Sequence, residues 1–249
     1  MPFHRPGPGV PPTIGYEDRV EETGRVERVE ETAAAYGELV RGRRVARSFD
    51  PDRPVGAAVL RDLVDLASRA PSAGAAQGWS FLVLRRPEDV AAYWAATAGD
   101  GPPDRWLAGM RTAPALVVAW SHEQAYRARY ALPDKASGTH APPDPATRWP
   151  VPYWHVDTGM AVALLLLGAE AHGLGACPFA VPTARVAALR TAFDVPADAV
   201  PVMVVALGTP APHPSGPPTT PRPSRRRALD DVLSDGRHGR PLPPASPGG

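Results

Sequence analysis

Gly159-Met160-Ala161-Val162-Ala163-Leu164-Leu165-Leu166-Leu167-Gly168-Ala169 is the most apolar run of the chain, and Asp157 and Glu170 bracket it. A bilayer span needs about 20 apolar residues, so the run is too short to cross a membrane. It predicts instead a helix at about 154–173, buried on nearly all sides. Such a helix needs layers of structure around it, and the flanking sequence offers them. Leu60, Leu63, Val64 and Ala67 mark one stripe of a helix over 57–69 that ends at Pro71. Phe81–Leu84, Ala115–Trp120 and Pro201–Leu207 read as short buried strands. Further helices are predicted at about 87–98, 103–111, 123–130 and 183–193. Long helices between few strands give an α+β fold, a mixed or antiparallel sheet flanked by helices.

The ends differ from this middle. Residues 1–30 are rich in Pro and Gly and then in charge, which predicts a disordered or weakly ordered extension passing into a helix near residue 28. Eleven prolines after residue 209 predict an extended arm over 210–227, a short helix near 228–234 and a disordered tail at 241–249. A single domain is expected over 31–240. Within it, residues 131–153 form a long Pro-rich connection of the kind that serves as a lid, ending in Trp149, Tyr153 and Trp154.

Composition removes several function classes. With 27 basic and 26 acidic residues the net charge is +1, which disfavours nucleic-acid and membrane-surface partners. Cys177 is the sole cysteine, so a cytoplasmic protein without intramolecular disulfides or cysteine-based metal sites is expected. The seven histidines lack ligand spacing, and phosphate-loop, dinucleotide, zincin and nucleophile-elbow motifs are missing. No metal site and no catalytic side chain is assigned.

Arg43-Arg44-Val45-Ala46-Arg47-Ser48-Phe49 stands out against that background. In a helix, Arg43 and Arg47 would share one face and repel unless an anion neutralised them. A phosphate suits convergent guanidinium forks. The alternative is an ordinary solvated network with Glu38, Asp50 and Asp52, since only Lys135 among the basic residues is lysine. One helix-length later, Ala70-Pro71-Ser72-Ala73-Gly74-Ala75-Ala76-Gln77-Gly78-Trp79 forms a turn whose backbone amides also suit an anion or ring edge.

These two segments resemble the N-terminal motifs of the nitroreductase-like FMN flavoproteins. Asp157-Thr158-Gly159-Met160, then Ala171-His172-Gly173-Leu174-Gly175-Ala176-Cys177-Pro178-Phe179, is similar to that family's central helix and the turn facing the flavin ring. Arg225-Arg226-Arg227-Ala228-Leu229-Asp230-Asp231-Val232 resembles its C-terminal basic motif, and the resemblance runs colinearly over about 36–240.

The resemblance implies a nitroreductase-like fold in an intertwined homodimer with an extended C-terminal arm, and FMN at the interface. NADH or NADPH would deliver hydride, and an electron-poor small molecule such as a nitroaromatic or quinone would receive it. Arg43, Arg44 and Arg47, joined by Arg225, Arg226 or Arg227, would hold the phosphate and ribityl chain. Pro71, Ser72 and Ala73 would line the ring edge, and backbone near Ala180 and Val181 would face the reactive nitrogen. Trp149, Tyr153 and Trp154 are candidates for the substrate side. The chain carries Val45, Ala75 and Gly78 where the family commonly has serine, asparagine and proline. The missing side-chain donors leave open a second reading, a flavin- or deazaflavin-binding accessory protein with little turnover.

Overall fold

The computed structural model of the chain describes residues 16–99, 101–136, 149–212 and 226–243, with side chains from residue 28 onward. It divides into two compact units, residues 1–211 and 212–249. The first unit holds α1 (Tyr16–Gly42), α2 (Ala57–Ser68), β1 (Trp79–Leu84), α3 (Pro87–Thr97), α4 (Arg105–Met110) and β2 (Ala115–Ser121). After these come α5 (Glu123–Ala131), α6 (Pro133–Ala136), α7 (Tyr153–Ala171), β3 (Gly175–Phe179), α8 (Val186–Ala192) and β4 (Val200–Gly208).

The sheet has the order β1-β2-β4-β3 with every neighbouring pair antiparallel. Its two middle strands are apolar along most of their length because alternate residues enter different cores. Leu116, Val118, Trp120, Val204 and Ala206 face a cluster with Tyr93 and Trp94 of α3, Met110 of α4 and Leu189 of α8. Val117, Ala119, Val205 and Leu207 face the opposite cluster, with Leu60 and Leu63 of α2 and Ala161, Val162 and Leu165 of α7.

Three expectations change. α1 begins at Tyr16 rather than near residue 28; no proline falls between Pro12 and Pro51, and the charged residues there favour helix. Residues 175–179, read as a turn, form β3. The Ala176 carbonyl points away from β4 to accept the Ala46 amide at 3.0 Å, and Pro178, two residues on, shares that outer edge, where a missing N–H costs no ladder bond. α7 is not buried all round in one chain. Asp157, Thr158, Ala161, Val162, Leu165, Gly168 and Ala169 face inward, whereas Val156 and Met160 remain 44% and 37% exposed.

Asp104 caps α4, its Oδ1 accepting the Leu107 amide at 2.7 Å. Asp104→Ala is expected to lower stability by about 1 kcal/mol, measured as an earlier urea midpoint.

In the second unit, a single 3-10 turn, Leu229–Asp231, stands where a short helix was expected, and the Arg227 guanidinium donates to the Asp231 carbonyl. Residues 1–15 of the expected extension, 137–148 of the expected lid, 213–225 of the expected arm and 244–249 of the expected tail lie outside the described residues.

Candidate functional site

The basic segment is extended, not helical. α1 ends at Gly42, Val45 bridges Ala176 in parallel, and Phe49 bridges Pro210. An even separation still keeps Arg43 and Arg47 on one side of an extended chain, but about 13 Å apart at the backbone. The argument from mutual repulsion on a helix face therefore does not apply. A different one replaces it. Among the described residues neither Arg43 nor Arg47 forms an ion pair or side-chain hydrogen bond, so the expected alternative network with Glu38, Asp50 and Asp52 is absent.

Arg44 is used differently. Its Nη1 donates to the carbonyls of Arg41, Gly42 and Arg43 and closes the C-terminus of α1. Val45 packs against the first core. β3 then leads from Ala46 past Cys177 to Ala180 and Val181. Burial pushes the Cys177 thiol up, with nearby Arg47 pulling it the other way, and the thiol sits inside the core. The Ala180 and Val181 amides enter no hydrogen bond among the described residues. Beside Ala180 a recess of about 330 Å³ is walled by Trp94, Trp106 and Phe179. Phe179 stacks on Trp94 at 5.8 Å and meets Trp106 edge-on at 5.5 Å. Among the described residues, two unpaired guanidinium groups spaced along the strand and two free amides beyond them fit a ligand with an anionic tail and a head rich in hydrogen-bond acceptors, such as FMN.

Ser72–Gly78 forms a second group. Gly74, Ala75 and Gln77 have φ of 63°, 56° and 48°. For Ala75 and Gln77 this left-handed geometry costs about 1–2 kcal/mol each. Several contacts hold it. The Ala73 amide donates to Asp157 Oδ2 at 2.8 Å, and the Gln77 amide donates to Ser72 Oγ at 2.9 Å. Arg129 Nε donates to the Gly74 carbonyl at 2.8 Å, and the His122 amide donates to the Gly78 carbonyl at 2.9 Å. The Ala73 amide, a proposed ligand donor, is thus already committed, whereas the Ser72 hydroxyl retains its hydrogen. Gly78 is required by space, since a Cβ there would meet the Tyr126 ring and lie 2.8 Å from the His122 carbonyl.

Against this turn stand the substrate-side candidates. Trp149 meets Tyr130 at 5.2 Å and Trp154 at 5.8 Å, and Trp154 meets Tyr126 at 6.2 Å. Tyr153 is half-buried and enters none of these ring contacts. Ser121 Oγ and His155 Nδ1 lie 2.8 Å apart behind them, and burial lowers the imidazole's proton affinity.

One chain does not bring the two groups together. Asp157, which holds the turn, lies near the start of α7, whereas Gly42, just before Arg43, lies beside Glu170 near its end. Thirteen helical residues separate them, about 20 Å. Arg225 lies outside the described residues, and Arg226 and Arg227 are exposed in the second unit. Sequence reasoning missed Tyr126, Arg129 and Trp106. Asp157 was visible as a lone carboxylate opening an apolar run, but nothing in the sequence marked its partners.

A four-stranded antiparallel sheet between helical layers, with a basic segment laid along its edge strand, defines a nitroreductase-like α+β architecture. The chain belongs to the nitroreductase family, whose family model matches residues 40–209. Its fold is similar to a nitroreductase-like protein of Streptococcus mutans, at 20% identity over 82% of this chain and 98% of that one, with a TM-score of 0.62. A protein of Exiguobacterium sibiricum assigned as a nitroreductase and solved in complex with FMN is 22% identical over 80% and 96%, with a TM-score of 0.57. A Bacillus subtilis protein assigned as the NAD(P)H nitroreductase YdgI is 37% identical over 53 residues, 21% of this chain and 25% of the relative, so the match spans a quarter of that curated protein. Among the described residues no helix is long and apolar enough to cross a membrane, and no three His, Cys, Asp or Glu side chains converge as metal ligands.

Proposed function

We propose that the protein is an FMN-dependent oxidoreductase working as a cytoplasmic homodimer, with NADH or NADPH as reductant and an electron-poor organic molecule, a nitroaromatic or quinone, as acceptor. The observation that carries this is the pair Arg43 and Arg47, free of any carboxylate among the described residues and set along the edge of β3. Bound FMN would supply the hydride chemistry between nicotinamide and acceptor, so no acid or base of the protein's own would be required.

The chain's residues bind and orient. Arg43 and Arg47, with Arg44 in support, hold the phosphate. The Ala180 and Val181 amides point donors at the ring nitrogen where negative charge collects. Pro71 and the Ser72 hydroxyl meet the ribityl chain or ring edge, and Trp149, Tyr153 and Trp154 exclude water on the substrate side. The 20 Å between the two groups in one chain, set against the length of one flavin nucleotide, supports a site built from two chains. The exposed Val156 and Met160 of α7 and Leu66 of α2 supply an apolar face for the second copy.

The purified protein is expected to be yellow, and its flavin absorbance to bleach under argon with NADH or NADPH. A colourless protein that takes up no added FMN overturns the reading. The committed Ala73 amide, with Val45 and Ala75 lacking side-chain donors, favours a second reading, a flavin-binding accessory protein. Tight FMN binding without nicotinamide reduction selects it; steady turnover with a quinone rejects it.

A further inference from the structure

We infer that Asp157 is the positioning residue of the flavin-facing turn, holding Ser72–Gly78 in its left-handed form from the start of α7. The inference rests on the FMN reading above for what the turn faces, and on this chain's own geometry for how the turn is held.

The turn is strained and has to be held from outside. A chain of Ala and Gln residues has no intrinsic reason to adopt positive φ at two positions, so the surrounding structure must over-determine it. Asp157 is 2% exposed and accepts two hydrogen bonds on one oxygen, from the Ala73 amide and from the Tyr126 hydroxyl, each at 2.8 Å. Tyr126 is itself fully buried between the turn and Trp154, and burial, then Asp157, push its phenol well above the ordinary range. The hydroxyl therefore stays a donor at every physiological pH.

A carboxylate in such a place would be costly unless its lone pairs were used. Its two donors come from elements far apart in sequence, the turn and α5, so Asp157 ties three segments into one corner. Arg129, also on α5, adds a second tie. Its guanidinium donates to the Gly74 carbonyl and pairs with Asp134 at 2.7 Å on α6. The turn is thus gripped at Ala73 from α7 and at Gly74 from α5. The Ser72 hydroxyl, between Pro71 and those two anchors, accepts the Gln77 amide within the gripped turn and keeps its own hydrogen to donate.

The test uses the full chain. In Asp157→Asn the negative charge that strengthens both bonds is gone while shape is retained, and Asp157→Ala removes the acceptor. Amide hydrogen exchange at Ala73 and Gln77 is expected to quicken about tenfold in Asp157→Asn and further in Asp157→Ala, with Leu116–Val118 of β2 unchanged. If Asp157→Ala does not fold, Asp157→Asn decides alone. Equal exchange in Asp157→Asn and the parent overturns the inference, as does uniform quickening that includes β2, which marks a merely structural role.

FMN titration by flavin fluorescence then reads the functional half, with a dissociation constant raised at least fivefold in Asp157→Asn. Faster exchange at the turn with unchanged FMN affinity overturns the claim that the turn faces flavin. If the parent takes up no FMN, the functional reading fails on its own, and the claim that Asp157 positions a flavin-facing turn fails with it.

Discussion

Arg43→Glu combined with Arg47→Glu will leave the chain folded and strip it of FMN, with a dissociation constant raised at least a hundredfold in fluorescence titration. Both parts follow from the same fact. Neither guanidinium has a partner among the described residues, so reversing them breaks no native ion pair and leaves no buried group unsatisfied. Surface changes of that kind usually alter stability by no more than about 0.5 kcal/mol. Facing a phosphate, each reversal replaces a charge-assisted bond, roughly twice as strong as a neutral one, by repulsion. Thermal melting without added FMN separates the two effects. If the double variant binds FMN like the parent, the phosphate lies elsewhere.

Leu165→Ala will destabilise the protein by about 2–5 kcal/mol, the range for fully buried leucines whose site cannot collapse. Leu165 is 0% exposed and lies between α7 and the sheet, among Leu60, Leu63, Val117 and Val205. It points inward from the helix that carries Asp157 at one end and meets the exit of α1 at the other. The urea midpoint should therefore fall steeply. A loss under about 1 kcal/mol would mean that the second core is looser than its burial indicates.

The layers of this fold were legible because their residues repeat with the period of their element. α2, α3, α5, β2 and β4 fall within a residue or two of where the pattern places them. β3 was not legible because Gly175, Ala176, Cys177 and Pro178 have weak strand preference alone. They are held extended by β4 on one edge and the Ala46 amide on the other, which are tertiary facts. The conformation of residues 43–47 failed for the same reason, since after Arg43, whose amide still donates to the Leu39 carbonyl, the next such bond runs from the Ala46 amide to Ala176.

Resemblance placed the two motifs in one cofactor site without showing how they meet. Their separation along α7 emerges only once α2 is seen to pack antiparallel to it, with Gly168 against Leu63 and Leu66 and the turn at the far end. The holders of that turn carry no sequence signature. Tyr126 and Arg129 look like any residues of an amphipathic helix until the Asp157 carboxylate and the Gly74 carbonyl are placed beside them.

The length of α7 also bears on how the protein behaves at low concentration. On the two-chain reading, a cofactor held by Arg43, Arg47 and the Ala180 and Val181 amides of one copy and by the Ser72 turn of the other would bind the pair more tightly than either copy alone. Mass action then joins two equilibria: dilution that parts the copies sheds flavin, and flavin in excess holds the copies together. On that reading cofactor occupancy would report how much of this polypeptide is present, and activity would fall away when it is scarce.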